Sequence, residues 1–88
     1  MNKHLNLKIT GKVQGVGFRF CAYDKFVELG LQGRAENTPE RGVVIDVEGP
    51  EDRLESLIEW CKQGPSGARV ENVEVVETAE AFVALKNS

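Results

Sequence analysis

The pattern of apolar and polar positions changes its period along the chain, and each change marks a new element of secondary structure. Residues 5–10, LNLKIT, alternate leucine or isoleucine with polar residues, which is typical of a strand with one buried face. From Phe18 to Leu29, apolar residues recur every three or four positions and predict a helix. Gly30 follows where a left-handed residue commonly ends a helix, so we expect the helix to stop there.

The middle of the chain predicts a hairpin of two strands. Residues 31–37, LQGRAEN, carry a weaker strand pattern with a glycine and an alanine on the inward side. Residues 38–42, TPERG, supply turn chemistry through their proline and glycine. Residues 43–49, VVIDVEG, alternate inward valine or isoleucine with outward acidic residues such as Asp46.

The second half of the chain predicts another helix and then a strand. Residues 49–65, GPEDRLESLIEWCKQGP, begin with a proline suited to the first helical turn, continue with two acidic residues and end with Gly-Pro. The predicted buried stripe of this helix comprises Leu54, Leu57, Ile58 and Cys61. Residues 68–77, ARVENVEVVE, predict a strand of slightly irregular phase, and residues 81–85, AFVAL, are a candidate for a short fifth strand.

The order strand, helix, strand, strand, helix, strand predicts an α+β domain of the ferredoxin-like, split βαβ type. Right-handed crossovers place two antiparallel helices on one face of a four- to five-stranded, mainly antiparallel sheet. No repeat or linker divides the sequence, so we expect residues 1–88 to form a single domain. This fold carries enzymes, RNA-binding domains, metal carriers and ligand sensors alike, so the function has to be inferred from a site.

Composition and charge exclude several classes of function. The net charge is −3 and no lysine or arginine cluster occurs, which argues against a nucleic-acid partner. No apolar run is long enough to span a membrane, and the N-terminus alternates in polarity, so we expect a cytoplasmic protein. His4, Cys21 and Cys61 lack the spacing of a metal site, and in a reducing compartment we expect both cysteines to be free thiols. We therefore expect neither a metal nor a cofactor.

The candidate chemistry lies in residues 12–21, KVQGVGFRFC, which join the first strand to the first helix. Gly15 and Gly17 permit positive φ, so that consecutive backbone N–H groups can converge on an anion. The helix N-terminus adds unpaired N–H donors, and Arg19 adds a planar guanidinium that matches phosphate oxygens. Taken alone, this local pattern fits a tight turn with a solvated arginine equally well.

Asn37, at the end of the second predicted strand, favours the anion site. Because the first helix runs back along the sheet, the second strand runs parallel to the first, and the carboxyl ends of both lie at one edge. We therefore expect Asn37 to lie near the glycine loop. The alternative is an asparagine that only begins the turn at residues 38–42.

The segment GKVQGVGFR, followed by the asparagine of GRAENT, resembles the acylphosphatase family. The family pairs a Gly-x-Val-Gln-Gly-Val-x-Phe-Arg loop with a later Gly-x-x-x-Asn-Thr/Ser segment, and the resemblance continues through residues 43–75. It departs at Ala35, where the family often has valine, and in the C-terminal AFVALKNS. The resemblance implies a monomeric enzyme that hydrolyses a small acyl phosphate to a carboxylate and inorganic phosphate, without metal, cofactor or covalent intermediate.

The resemblance also implies roles for individual residues. Arg19 binds the phosphoryl group, and Asn37 orients the attacking water. The remaining phosphate oxygens are held by the backbone N–H groups of Gln14, Gly15, Val16, Gly17 and Phe18. The sequence has no well-placed histidine and no nucleophile–base pair, which fits direct attack by water because a carboxylate is a good leaving group.

Three alternatives remain at this point. A non-catalytic phosphate sensor would use the same loop, and only Asn37 argues against it. An RNA-recognition domain would stack bases on aromatic residues of its middle strands, but residues 5–10 and 43–49 contain none. A domain of a larger carbamoyl-transferring protein is the third, and we expect the length of the chain to disfavour it. Outside the loop, we expect Tyr23 and Trp60 to be packing residues.

Overall fold

The computed structural model describes residues 2–77, which form two helices and one four-stranded sheet. The elements are β1 (Asn2–Lys12), α1 (Phe18–Leu29), β2 (Gln32–Asn37), β3 (Val43–Pro50), α2 (Glu51–Gln63) and β4 (Arg69–Glu77). The strand order is β2-β3-β1-β4, and every neighbouring pair is antiparallel. This architecture confirms the predicted ferredoxin-like α+β fold. The candidate strand at residues 81–85 lies outside the described residues.

Several element boundaries differ from the sequence prediction, most of all the ends of β1 and the place of Pro50. β1 runs from Asn2 to Lys12, and its first residue pairs with Pro50, because the neighbouring strand β3 is long enough to continue the ladder. Pro50 itself is the last residue of β3 and the N-cap of α2, with φ −63° and ψ 144°. Its extended ψ explains why it precedes the helix instead of lying in the first turn.

The core lies between the helices and one face of the sheet, as the apolar periodicity predicts. Its buried members include Leu7, Ile9, Phe18, Ala22, Phe26, Val43, Ile45, Val47, Leu54, Leu57 and Cys61. Leu29 and Ile58, which were expected in the helical stripes, are only partly buried against this cluster. Both cysteines are free thiols, and burial raises the pKa of Cys61 to about 12. The Cys61 thiol is therefore an apolar core group at neutral pH.

The irregular phase of β4 is caused by a β-bulge. Thr10 pairs with Asn72 and Gly11 pairs with Val70, which leaves Glu71 as an extra residue on β4. Val70 and Val73 both pack against the core although three positions separate them. A bulge shifts the alternation of side chains by one residue. Two residues three positions apart can therefore lie on the same buried face when the bulge falls between them.

Asp46 lies on the sheet face away from the helices, as alternation predicts, but it is not solvated. Its neighbours across the sheet are Asn6 on β1 and Arg34 on β2, and its exposed fraction is 1%. Within residues 2–77, neither of its carboxylate oxygens has a hydrogen-bond partner. Burial raises the pKa of this carboxyl group, and the charge of His4 acts in the opposite direction.

We expect Asp46→Asn to stabilise the protein at neutral pH. Because the pKa is raised on folding, the folded state holds the proton more tightly than the unfolded chain, and this contribution is lost as the pH rises through the folded-state pKa. The stability gained by the variant in urea unfolding should therefore grow as the pH rises above 3.8, the ordinary pKa of an aspartate. The exposed Asp24→Asn is the control, and an equal trend in both variants would contradict the assignment.

Candidate active site

The loop between β1 and α1 takes the backbone shape that its glycines predict. Gly15 has a φ of 76° and Gly17 a φ of 77°, both in the left-handed region. A Cβ atom at either position would meet no atom within 4 Å. The backbone conformation, and not crowding, is therefore what requires glycine here.

The start of α1 presents backbone N–H donors directly after the glycine loop. Gly17 is the N-cap and has no side chain with which to bond the first N–H groups. The first helical bond runs from the Cys21 N–H to the Gly17 carbonyl at 3.0 Å, so the N–H groups of residues 18–20 lie before the regular ladder. No acidic residue lies in this turn, and the positive end of the helix dipole is therefore not neutralised there.

Asn37 lies at the sheet edge that the topology predicts. It pairs with Val43, and Val43 pairs on its other side with Ile9 of β1. β2 therefore runs parallel to β1 with β3 between them. The glycine loop leaves β1 at the edge where β2 ends, which brings Asn37 toward the loop.

The side chain of Gln14 fastens the loop to the turn that follows Asn37. Its Nε2 donates to the carbonyl oxygens of Thr38 and Gly42, each at 2.9 Å. From the sequence, Gln14 was expected to act only through its backbone N–H group. Its acceptors are 24 and 28 positions away in the chain, so no local pattern could reveal these bonds.

The turn itself differs from the one that its proline and glycine suggest. The residue with positive φ is Arg41, at 69°, and not the neighbouring Gly42. A Cβ atom on Gly42 would lie 2.6 Å from the carbonyl oxygen of Ile9. Gly42 is therefore needed for the close approach of β1, which only the folded chain creates.

The glycine loop, α1 and the end of β2 line one open cavity of about 370 Å³. Its lining comprises Val13, Gln14, Gly15, Gly17, Phe18, Arg19, Phe20, Tyr23 and Asn37. The cavity therefore brings together all of the predicted site residues except Val16, whose side chain packs partly buried against the core. The Phe18 ring is also buried, 5.1 Å from the ring of Trp60, so Phe18 has only its backbone to offer a ligand.

Two polar side chains of the cavity, those of Arg19 and Asn37, are available to a ligand. Arg19 and Asn37 are both exposed, and within residues 2–77 no hydrogen bond or ion pair engages either side chain. A guanidinium offers a fork of donors to an oxyanion, whereas an amide both donates and accepts. The arrangement can therefore bind an anion and hold a neutral molecule, such as water, beside it.

Sequence reasoning missed three residues of the lining, namely Val13, Phe20 and Tyr23. Tyr23 was expected to pack, and its ring does contact Phe26 edge-on at a centroid distance of 5.4 Å. It is nevertheless 42% exposed and borders the cavity. One feature of the sequence could have identified Phe20 and Tyr23 as lining residues. They follow Arg19 by one and four positions, at the start of the same helix.

Among residues 2–77, no group of three histidine, cysteine or acidic side chains is placed to hold a metal ion. In the same range, no helix is both long and apolar enough to cross a membrane.

Comparison with known proteins identifies the family of the chain. The acylphosphatase family model matches residues 5–83. An acylphosphatase of Thermus thermophilus is 51% identical over 73 residues, which are 83% of each chain. The structure of an acylphosphatase from Coxiella burnetii superposes with a TM-score of 0.85 at 35% identity, over 89% of this chain and 82% of that one.

A domain within a larger protein has the same fold. Full-length HypF, in its phosphate- and nucleotide-bound form, matches with a TM-score of 0.82 at 32% identity, over 89% of this chain but only 10% of its own length. The family model, in contrast, accounts for most of this chain by itself. The chain belongs to the acylphosphatase family, whose members are enzymes that hydrolyse acyl phosphates.

Proposed function

We propose that this acylphosphatase acts at the cavity of the glycine loop, with Arg19 binding the phosphoryl group and Asn37 orienting the attacking water. The observation that carries the proposal is the common lining: Arg19 comes from α1 and Asn37 from β2, and both border one cavity. Within residues 2–77 neither side chain has another partner, which supports a role toward a ligand.

The phosphoryl group is held by fixed donors. In phosphoryl transfer, negative charge is spread over three equatorial oxygens, so donors that are already in place supply most of the stabilisation. Arg19 contributes a guanidinium, and the backbone N–H groups of residues 14–18 contribute the remaining donors. Val16 and Phe18 act only through their backbone, because their side chains pack into the core.

The water attacks phosphorus while the bond to the acyl oxygen breaks. The electron pair of that bond leaves on the carboxylate, and both protons of the water remain on the phosphate product. Acyl phosphate dianion and water thus give carboxylate and dihydrogen phosphate, which balances atoms and charge. Since the carboxylate is a weak base, the leaving group needs no general acid. Asn37 accepts a hydrogen bond from the water and directs its lone pair to phosphorus.

The cellular setting is part of the same proposal. We propose that the protein is a monomer with a single domain of residues 1–88, since the helices and the sheet of residues 2–77 share one hydrophobic core. The two free thiols support a reducing, cytoplasmic compartment. The partners are a small-molecule acyl phosphate and the inorganic phosphate released from it. A sensor of phosphate is the second candidate, but it would not require Asn37 in the cavity.

Hydrolysis of benzoyl phosphate in EDTA tests this proposal. We expect wild-type turnover without metal, and Asn37→Ala should lower kcat about a hundredfold, because one oriented polar contact to the reacting water is lost. Inhibition by inorganic phosphate should remain near wild type in Asn37→Ala, because the loop and Arg19 are intact.

The exposed Asn72→Ala on β4 is the matched control and should keep full activity. A wild-type kcat in Asn37→Ala would disprove the role given to the amide. A folded wild type that binds phosphate but hydrolyses no acyl phosphate would establish the sensor instead.

A further inference from the structure

An exposed apolar stripe runs along α1 and begins at the cavity. Phe20, Tyr23 and Val27 are separated by three and four positions and so share one face of the helix. Their exposed fractions are 80%, 42% and 83%. Phe20 and Tyr23 line the cavity, whereas Val27 lies farther along the helix and is not part of the lining.

Tyr23 is an aromatic wall of fixed position. Its hydroxyl oxygen accepts a hydrogen bond from the Ala35 N–H at 3.1 Å, and its ring contacts Phe26 edge-on. These two contacts hold the ring in place while 42% of the residue remains exposed. An aromatic ring that is fixed in position but exposed to solvent can bury apolar surface against a ligand without losing further side-chain entropy.

Phe20 is placed to cover whatever is bonded to the phosphoryl group. It follows Arg19 directly in the first turn of α1, and 80% of its surface is exposed. In an acyl phosphate, a single oxygen joins the acyl carbon to phosphorus. With the phosphoryl group against the loop and Arg19, an acyl group that stays within the cavity contacts its other walls, where Phe20 and Tyr23 expose largely apolar side chains.

We propose that Phe20 and Tyr23 form the acyl subsite and select acyl phosphates with a planar, apolar acyl group over those with a short one. The inference rests on the proposed function, because it takes the phosphoryl position from Arg19 and Asn37. An aryl group covers the exposed Phe20 ring and removes both surfaces from water. An acetyl group is too small to cover it.

The subsite affects the binding of the substrate more than the rate at which its bond to phosphorus breaks. The acyl group keeps its shape while the bond to phosphorus breaks, so its contact with Phe20 is the same in the ground state and the transition state. Loss of such a contact raises KM and leaves kcat nearly unchanged. Damage to the phosphate site would instead lower kcat for every substrate.

The test compares benzoyl phosphate with acetyl phosphate. We expect Phe20→Ala to raise KM for benzoyl phosphate about threefold to tenfold, with little change for acetyl phosphate, as one lost aromatic contact implies. Phe20→Tyr, which keeps a ring, should restore the wild-type ratio. Val27→Ala is the matched control, since Val27 is equally exposed on the same helix. Inhibition by inorganic phosphate, which has no acyl group, should not change in Phe20→Ala.

Three results would overturn the subsite. Phe20→Ala could change both substrates by the same factor, Val27→Ala could shift the ratio as much, or Phe20→Ala could weaken inhibition by phosphate. If the proposed function itself is wrong, the result differs from these three, because the wild type then hydrolyses neither substrate. That result would also disprove the acyl subsite.

Discussion

Arg19→Ala is expected to lower kcat/KM for acyl phosphates about a thousandfold, the largest effect on activity that we expect of any single side chain. Among the described residues, Arg19 supplies the one cationic side chain of the cavity lining. In the proposed mechanism it faces the phosphoryl oxygens, which carry the negative charge of the transition state. Loss of a charged fork of donors costs more than loss of one neutral donor. Inhibition by inorganic phosphate should weaken in parallel, in contrast to Asn37→Ala.

Arg19→Lys separates charge from geometry. Lysine keeps the positive charge but not the planar fork, so we expect it to recover only a minor part of the lost activity. Steady-state kinetics with benzoyl phosphate in EDTA measures both variants. Arg69→Ala, an exposed arginine on β4, is the control for a change in net charge. If Arg69→Ala were as damaging as Arg19→Ala, general attraction of the anionic substrate, and not binding by Arg19, would explain the loss.

Gly11→Ala is expected to destabilise the fold by about 3 to 5 kcal/mol, the largest effect on stability. A Cβ atom at Gly11 would lie 2.1 Å from the Arg69 carbonyl oxygen and 2.7 Å from the Glu71 nitrogen. Both are backbone atoms of the bulge, so they cannot move away without opening the pairing of β1 with β4. Gly11 also has a φ of 123°, which an alanine adopts only under strain.

Urea unfolding of Gly11→Ala and Gly30→Ala distinguishes crowding from strain. Gly30 has a φ of 69°, but a Cβ atom there would meet nothing within 4 Å. Its substitution should therefore cost only the left-handed conformation, about 1 to 2 kcal/mol. Equal losses in the two variants would mean that the bulge shifts to admit the methyl group.

Local patterns predicted the elements and the central pair of the site because their causes are local. The bounds of α1 follow from the residues that delimit it, Gly17 before the first turn and Gly30 after the last. Arg19 was identifiable because it lies in the same short segment as the glycine loop. To place Asn37 near the loop, the direction of the second strand must also be known. That direction follows from the order of the elements.

The features that escaped prediction depend on neighbours distant in the chain. The hydrogen bonds of Gln14 cross to the turn after β2, and the burial of Asp46 depends on the strands beside it. In the sequence, Phe20 and Tyr23 are only two aromatic residues of a predicted helix. The folded structure shows that both line the cavity.

The order of the elements, the buried stripes and the family can be deduced from the amino-acid sequence, because periodicity, glycine positions and motif spacing act within a few residues. The bulge at Glu71, the close approach that requires Gly42 and the walls of the cavity beyond its loop arise only in the folded chain. The physical reason is common to all three. Each is set by the distance between atoms of strands or helices that are far apart in sequence, and that distance exists only once the core has packed.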